Sequence, residues 1–381
     1  MTAITCIEDL HQLYLRRVPR MFVDYCESGS WTEATLRRNL ADLAALQLHQ
    51  RVAVGVEGGT TTATMLGQPV ALPLALAPVG LLGMQHADGE MLAAKAALDF
   101  GVPFTLSTMS VCSIEDVAAY VKRPFWFQLY VMRDHRFIES LIDRAKAAGC
   151  SALVLTLDLQ VMGQRHRDIK NGLSTPPKPT LTNLLNLALH PRWCMAMART
   201  RHHQFGNIVG HVEGVSDMSS LAAWTAEQFD RGLNWGDVEW IKKRWGGKLV
   251  LKGILDADDA ERAVACGADA IVVSNHGGRQ LDGAPSSISV LPDIASRVGS
   301  RCEVWMDSGV RSGQDVIKAL AAGAKAVLAG RAFVYGLGAL GGAGVTTALE
   351  LIRRELDLTM VLCGVRTLAE VDRRVLHMPR A

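Results

Sequence analysis

The chain has 381 residues, with 40 Lys and Arg against 38 Asp and Glu and with 49% hydrophobic residues. The near balance of charge argues against a surface built as a whole for nucleic acid, and the apolar content excludes an intrinsically disordered chain. Eight scattered cysteines without a CxxC pair predict free thiols in a reducing compartment, and they argue against a disulfide framework or a zinc site.

Residues 1–70 predict a small helical cap, with helices over 7–17 and 33–45 and without the apolar core of a secretory signal. From residue 71 onward, short apolar runs alternate with helical stretches, and none of these runs is long enough to span a bilayer. We expect strands over 71–77, 103–106, 125–130, 152–158, 249–252, 270–274, 303–307 and 324–329. We expect helices over 90–100, 113–121, 135–148, 235–245, 257–266, 286–298, 313–322 and 344–355.

Eight strands that alternate with eight helices predict an α/β fold, a single closed (β/α)8 TIM barrel that takes up residues 1–381 as one domain. The alternative is an open doubly wound sheet, but no GxGxxG motif follows an early strand. One interval between strands is far longer than the others, which predicts a long insertion over 159–234, after strand four.

In such a barrel the active site lies at the carboxyl ends of the strands. Seven of the eight predicted strands end in polar, charged or glycine residues. A single buried Gln or Thr is usually a core residue whose hydrogen bonds are satisfied. The requirements of folding alone do not explain polar residues at the ends of seven strands. The candidates are Ser107, Gln128, Tyr130, Thr156, Asp158, Lys252, Ser274, His276, Arg279, Asp307, Gly330 and Arg331.

The segment 274–279 predicts an acid/base group next to an anion-binding group. His276 can exchange a proton near neutral pH, and Arg279 carries a planar fork that suits a carboxylate. Asp158, if it lies beside His276, would stabilise the imidazolium. The alternative is a solvated loop that contains a histidine by chance.

Two further groups of strand-end residues point to a ligand. Residues 307–311 and Gly330-Arg331 combine glycine turns with Arg311 and Arg331, which is typical of a phosphate site in such barrels. Lys252 could form a Schiff base or act as a fixed cation, and its spacing does not decide between the two.

Several motifs together resemble one known family. They are FQLY at 127–130, LTLD at 155–158, VLKG at 250–253, SNHGGRQLD at 274–282, DSGVR at 307–311 and GR at 330–331. The chain is identified as a member of the FMN-dependent α-hydroxy acid dehydrogenases, the family of glycolate oxidase and mandelate dehydrogenase. The resemblance extends from about residue 9 to 369. Within this family, the sequences of residues 75–80 and 104–108 resemble most those of the bacterial respiratory L-lactate dehydrogenases.

The resemblance implies oxidation of an L-2-hydroxy acid to the 2-oxo acid, foremost L-lactate to pyruvate, with electrons passed to a quinone or a cytochrome. His276 would be the base and Asp158 its partner, while Arg165 and Arg279 would hold the substrate carboxylate. Tyr130 would bond near the substrate hydroxyl. The alternatives are an oxidase that uses oxygen, a mandelate-type dehydrogenase, and a non-catalytic barrel that binds a phosphorylated ligand.

The same resemblance implies a bound FMN. Lys252 would lie at the flavin N1–C2 edge and stabilise the reduced flavin, which favours the fixed cation over the Schiff base. The remaining cofactor-binding residues would be Val79, Ser107, Gln128, Thr156, Ser274, Asp307, Gly309, Arg311, Gly330 and Arg331. Family membership also implies a homo-oligomer, with a tetramer expected.

Three positions bear on the substrate and the acceptor. The family motif places a Tyr where this chain has Val23, so we expect one hydroxyl contact to the substrate carboxylate to be missing. Met109 replaces a Trp of some oxidases and would leave room for a larger substrate. Gly80, where oxidases tend to have Ala, favours a quinone or cytochrome over oxygen.

Residues 171–212 contain no Asp or Glu, but hold basic residues interleaved with Leu, Trp and Met. This composition favours an interfacial segment, and family members anchor through this loop, so we expect peripheral contact with the cytoplasmic side of the inner membrane. The alternative is a mobile lid packed on the barrel or on a neighbouring subunit. The histidines of this stretch have no metal-ligand spacing, so we expect no metal site.

Overall fold

The computed structural model describes residues 3–172, 180–212 and 228–377. It begins with three helices, α1 (Ile7–Arg17), α2 (Arg20–Glu27) and α3 (Ala34–Ala45), and an antiparallel hairpin of β1 (Ala63–Met65) and β2 (Gln68–Val70). The prediction of a helical cap is confirmed, but α2 and the hairpin were not predicted. The hairpin residues Met65, Leu66 and Val70 pack with residues of the barrel interior and close one end of it.

Eight parallel strands form the barrel, as predicted. They are β3 (Leu74–Leu76), β4 (Thr105–Ser107), β5 (Trp126–Tyr130), β6 (Ala152–Thr156), β7 (Lys248–Ile254), β8 (Ala270–Val273), β9 (Glu303–Met306) and β10 (Ala326–Ala329). Each strand pairs with its neighbour in the chain, β10 pairs with β3, and a bridge between Leu76 and Phe104 joins β3 to β4. The barrel is therefore closed, and the doubly wound alternative was wrong.

The strand residues alternate between two cores because successive side chains of a strand point to opposite faces. On β6, Val154 faces the barrel interior, whereas Leu153 and Leu155 face the surrounding helices. Both faces are buried, which explains why the strands are continuous apolar runs and not alternating ones.

The helices before the insertion are α4 (Leu82–Gln85), α5 (Gly89–Phe100), α6 (Ile114–Val121) and α7 (His135–Ala147). The insertion between β6 and β7 contains α8 (His166–Lys170), α9 (Leu181–Ala188) and α10 (Pro191–Arg199), and α11 (Trp235–Trp245) follows it. The rest are α12 (Ala257–Ala265), α13 (Ser287–Val298), α14 (Gly313–Ala321), α15 (Arg331–Leu340) and α16 (Gly342–Leu362).

The main error in the predicted helices follows the last strand. The sequence predicted one helix over 344–355 after this strand. The structure has two helices after the strand, α15 and α16, with a break between them at Gly341. Gly341 has φ 64° and ψ −145°, a conformation open almost only to glycine. α15 begins at Arg331, so the predicted phosphate-binding turn is also a helix N-terminus.

The predicted insertion over 159–234 lies partly outside the described residues, at 173–179 and 213–227. Its described part is helical as well as looped. Among the helices that the structure describes, none combines the length and the apolar character needed to cross a bilayer.

Candidate active site

The loop after β8 has an unusual backbone. His276, Gly277 and Gly278 all have positive φ, at 59°, 70° and 72°. A Cβ atom on Gly278 would lie 2.5 Å from the backbone nitrogen of Leu36, so only glycine fits against α3. A histidine in this conformation is strained, which is typical of residues held in place for function.

His276 and Asp158 form the pair that the sequence predicted. Nδ1 of His276 lies 2.8 Å from Oδ1 of Asp158. Burial by itself raises the pKa of Asp158, but His276 and then Lys252 outweigh it and hold the pKa below its usual value. The carboxylate is therefore ionised near neutral pH and can stabilise an imidazolium.

Lys252 is a buried cation in the centre of the site, with 4% of its surface exposed. Its Nζ donates to Ser274 Oγ at 2.8 Å and lies 3.0 Å from Asp307 Oδ2. Desolvation lowers its pKa, but Asp307 and Asp158 together raise the pKa above the usual value. A protonated amine favours the fixed cation over the Schiff base, because an amine nucleophile must be neutral.

Buried polar side chains at the ends of β4, β5 and β6 form a hydrogen-bonded row. Ser107 Oγ donates to Gln128 Oε1 at 3.2 Å, and Gln128 Nε2 donates to Thr156 Oγ1 at 3.0 Å. Next to this row, the Tyr130 ring stacks on the His276 ring with 6.5 Å between centroids. Burial raises the pKa of Tyr130, so its hydroxyl is neutral and can donate a hydrogen bond.

Arg165 and Arg279 meet over one aromatic ring that the sequence analysis did not select. Their guanidinium carbons lie 6.0 Å and 5.0 Å from the ring centroid of Tyr25. Burial and then Arg279 lower the pKa of Arg165, which reflects two cations held close together. Asp168, 3.4 Å from Arg165, is the carboxylate beside them, and burial raises its pKa.

The expected loss of a hydroxyl contact to the substrate carboxylate stays a prediction, but the structure places another hydroxyl group, that of Tyr25, at the cavity. Val23 is 5% exposed and packs in the core, whereas Tyr25 lines the cavity. Residues two apart on a helix point in different directions, so the position of Val23 could not have served the site. A Cβ atom on Gly80 would lie 3.0 Å from the Tyr25 hydroxyl. The available signal for Tyr25 was its place in the sequence, two residues after Val23.

The other end of the cavity is built to hold an anion. Gly309, Arg311, Gly330 and Arg331 line it, and Arg331 begins α15, whose first N–H groups lack partners within the helix. Arg331 donates to carbonyl oxygens, among them Gly277 O at 3.1 Å, and burial lowers its pKa to about 10. Within the described residues, no carboxylate forms an ion pair with Arg311 or Arg331.

These features surround one cavity of about 450 Å³, within the range of cofactor sites. Twelve of the predicted site residues line it. Gln128, Ser274 and Asp158 each contact one of the twelve, and Ser107 contacts Gln128. The cavity lining includes the cations Arg311 and Arg331, the buried Lys252 and apolar residues such as Val79. This set of donors fits FMN, and the sixteen residue roles themselves stay predictions.

A family model described as FMN-dependent dehydrogenase matches residues 15–378. The L-lactate dehydrogenase of Caulobacter vibrioides (strain NA1000 / CB15N) is 46% identical over 381 residues, 99% of each chain. That of Ectopseudomonas mendocina (strain ymp) is 45% identical over 366 residues, 96% of each chain.

Solved structures agree with these relatives. The monotopic membrane protein (S)-mandelate dehydrogenase superposes with a TM-score of 0.94 at 36% identity, and covers 99% of this chain and 100% of its own. A mandelate oxidase superposes with a TM-score of 0.84 at 37% identity, and covers 98% of both chains. The chain therefore belongs to the FMN-dependent dehydrogenase family, and it is an FMN-dependent hydroxy acid oxidoreductase.

Proposed function

We propose that the protein oxidises L-lactate to pyruvate with bound FMN and passes the electrons to a quinone or a cytochrome. The observation that carries this proposal is the cavity in which the His276–Asp158 pair faces Arg165, Arg279 and Tyr25. A base, a carboxylate-binding pair and a cofactor site within one cavity are what oxidation of a 2-hydroxy acid needs. They leave no reason to retain the alternative of a non-catalytic barrel.

The substrate carboxylate would bind between the two arginines. Two guanidinium groups and one neighbouring carboxylate, Asp168, leave the region with a net positive charge, which a monoanionic hydroxy acid would neutralise. The Tyr25 hydroxyl next to Gly80 would donate a further hydrogen bond to this carboxylate. Binding at this end fixes the rest of the substrate toward His276.

His276 would take the proton that leaves the substrate. Its Nδ1 is engaged with Asp158, so Nε2 is the ring nitrogen left to accept a proton. Asp158 would then stabilise the imidazolium that forms, and the Tyr130 hydroxyl would orient the substrate oxygen. The strained loop conformation of His276 holds the ring in this position.

FMN, when bound, supplies the redox chemistry by accepting two electrons from the hydroxy acid. Arg311, Arg331 and the glycines at 309 and 330 would hold its phosphate, and Asp307 the ribityl hydroxyls. Lys252 would stabilise the negative charge of the reduced ring system, because it is protonated, buried and fixed by two partners.

A larger hydroxy acid such as mandelate is the second candidate. Two observations favour it: solved structures similar to this chain include enzymes named for mandelate, and Met109 at the cavity has a flexible side chain. Anaerobic reduction of the purified enzyme by L-lactate and by (S)-mandelate separates the two. We expect the ratio of the rate constant of flavin reduction to Kd to be higher for L-lactate than for (S)-mandelate. A higher ratio for mandelate would contradict the proposal.

The acceptor can be tested on the same reduced enzyme. A quinone analogue should reoxidise it much faster than oxygen does in stopped-flow experiments. Rapid oxygen-dependent reoxidation with release of peroxide would instead identify an oxidase. The tetramer stays a prediction, which light scattering of the holoenzyme can check.

We also propose that α9 and α10 bring the enzyme to a membrane surface. On α9 the usual arrangement is reversed: Asn183 is buried, whereas Leu181, Leu184 and Leu185 are 73%, 54% and 62% exposed. Leu189, just after the helix, is 77% exposed. Exposed leucines on a helix that buries an amide indicate an apolar partner outside the chain.

The other side of these helices is fixed to the protein. Trp193 stacks on Phe22 with 5.2 Å between centroids and donates to Met84 O at 3.0 Å. Asn186 accepts a hydrogen bond from the backbone of Arg20. This packing argues against a mobile lid, and exposed Arg192 and Arg199 beside the leucines would favour anionic phospholipid.

Vesicle flotation tests this surface. L185E/L189E should lose most of its binding to vesicles that contain anionic phospholipid, because two charges would enter the interface. L358E/L362E is the matched control, since those leucines are 53% and 57% exposed on α16. Equal loss of vesicle binding in both variants, or no loss in either, would contradict the proposal that α9 and α10 contact the membrane. The cytoplasmic side of the inner membrane stays a prediction.

A further inference from the structure

Three side chains from distant parts of the chain meet outside the active site. Asp88 precedes α5, Cys112 precedes α6, and His202 follows α10. One ligand atom from each lies within 4.8 Å of the others, and we call these residues the Asp–Cys–His cluster. Asp88 Oδ1 and His202 Nδ1 are already 2.6 Å apart. The sequence predicted no metal site, because the histidines of 171–212 have no metal-ligand spacing and the cysteines form no CxxC pair.

The surroundings of the cluster are strongly acidic. Glu90 is fully buried, its Oε1 accepts the Val111 N–H at 2.8 Å, and its Oε2 has no hydrogen-bond partner among the described residues. Cys112 is fully buried beside Glu90. Asp116 adds a third carboxylate, with Oδ2 3.4 Å from His202 Nε2.

Little positive charge balances these carboxylates. Arg201 contacts Asp116 at 3.0 Å, but its side chain is 81% exposed to water, which screens the interaction. A buried carboxylate oxygen without a donor costs free energy unless it is protonated or meets a cation. The cluster therefore has the ligand types of a cation site, and it lies beside carboxylates whose charge a cation would neutralise.

We propose that Asp88, Cys112 and His202 bind a zinc ion, with water completing the coordination. Zinc combines thiolate, imidazole and carboxylate ligands in four-coordinate structural sites, whereas magnesium and calcium take oxygen ligands. The bound ion would also hold Cys112 as the thiolate, against the effect of its acidic neighbours.

The site would fasten the end of the insertion to the barrel. Just beyond His202, Gly206 packs against the backbone at 111–113, and the Asn207 side chain accepts the Ile114 N–H at 2.9 Å. The residues between them, 203–205, line the active-site cavity. Zinc would thus fix a wall of the cavity without contacting the substrate.

Metal content of the holoenzyme tests the proposal directly. After removal of bound metals by a chelator and dialysis against Zn²⁺, we expect about one tightly held zinc per chain. C112S and H202N should each weaken zinc binding by about tenfold or more. C266S and H211N are the control variants, since Cys266 is partly exposed, His211 is exposed and both lie outside the cluster.

X-ray absorption at the zinc edge of the loaded wild-type holoenzyme decides the ligand set without any variant. One sulfur scatterer at about 2.3 Å is expected, together with nitrogen and oxygen scatterers. A spectrum without sulfur, zinc content no higher than background, or equal zinc in C112S, H202N and the controls would each overturn the site. In that case Asp88 and His202 form only an ion pair. Flavin content and reduction by lactate are separate readouts, so failure here leaves the proposed function untouched.

Discussion

Replacing Asp158 by Asn isolates the contribution of one carboxylate to the reaction. The substitution keeps the shape of the side chain and removes its charge, 2.8 Å from His276 Nδ1. Two unit charges whose centres are roughly 4 Å apart interact by about 4 kcal/mol at an effective dielectric constant near 20. Asp158 is half-buried, so this dielectric constant and not that of water is the appropriate one.

That interaction forms in full only when His276 becomes an imidazolium, so its loss falls on the rate and not on binding. We expect D158N to reduce the anaerobic rate constant of flavin reduction by L-lactate by about a thousandfold, since each 1.36 kcal/mol is about tenfold. The Kd for L-lactate should change by less than about threefold, because Arg165 and Arg279 are untouched.

Stopped-flow reduction over a range of lactate concentrations separates the rate constant from Kd. Asp99→Asn is the control, since Asp99 is exposed and lies outside the site. Flavin absorbance per protein confirms that the cofactor is retained. A loss of less than about tenfold in the rate constant, or a loss confined to Kd, would refute the assignment of Asp158 as the partner of the base.

Three further predictions follow from single contacts. Gly80→Ala places a Cβ atom 3.0 Å from the Tyr25 hydroxyl, so the Kd for L-lactate should rise several-fold. In a Y25F background, G80A should have little further effect on this Kd, and additive effects of the two substitutions would contradict the contact. Arg331→Met should weaken FMN binding by about tenfold or more, measured by fluorescence titration of apoenzyme, because it removes a buried cation from the anion end. The pKa of Asp158 is lowered on folding, so its stabilising effect is present above the usual carboxyl pKa and is lost as the pH falls through the lowered value. The Tm of D158N holoenzyme should therefore fall less than that of wild type between about pH 6 and about pH 3, and parallel curves would contradict the linkage.

Much of the barrel could be predicted because its signals are local. The run 152–155 is apolar at every position, which is typical of a strand buried on both faces, and Trp235–Trp245 carries its own capping residues. The prediction of helix boundaries failed where the backbone conformation of a single residue sets the end of a helix. The break between α15 and α16 depends on the conformation of Gly341, and glycine permits such a break without requiring it.

The candidate site divides in the same way. His276, Arg279 and Lys252 stand at strand ends, and the barrel topology brings strand ends together, so their positions in sequence were enough. Tyr25 and Asp168 come from helices outside the barrel, and no rule of strand order places them. The family motif drew attention to Val23 and not to Tyr25, because a linear motif does not say which of two nearby side chains faces the cavity.

By itself, the sequence determined the alternation of strands and helices, the family and the residues that end the strands, because these depend on neighbours within a few positions and on motifs. Only the tertiary structure decided that Tyr25 meets Arg279, that the leucines of α9 face outward, and that Asp88, Cys112 and His202 converge. Such contacts join residues far apart in the chain. They are set by how whole elements pack against the closed barrel, and a one-dimensional pattern does not contain that information.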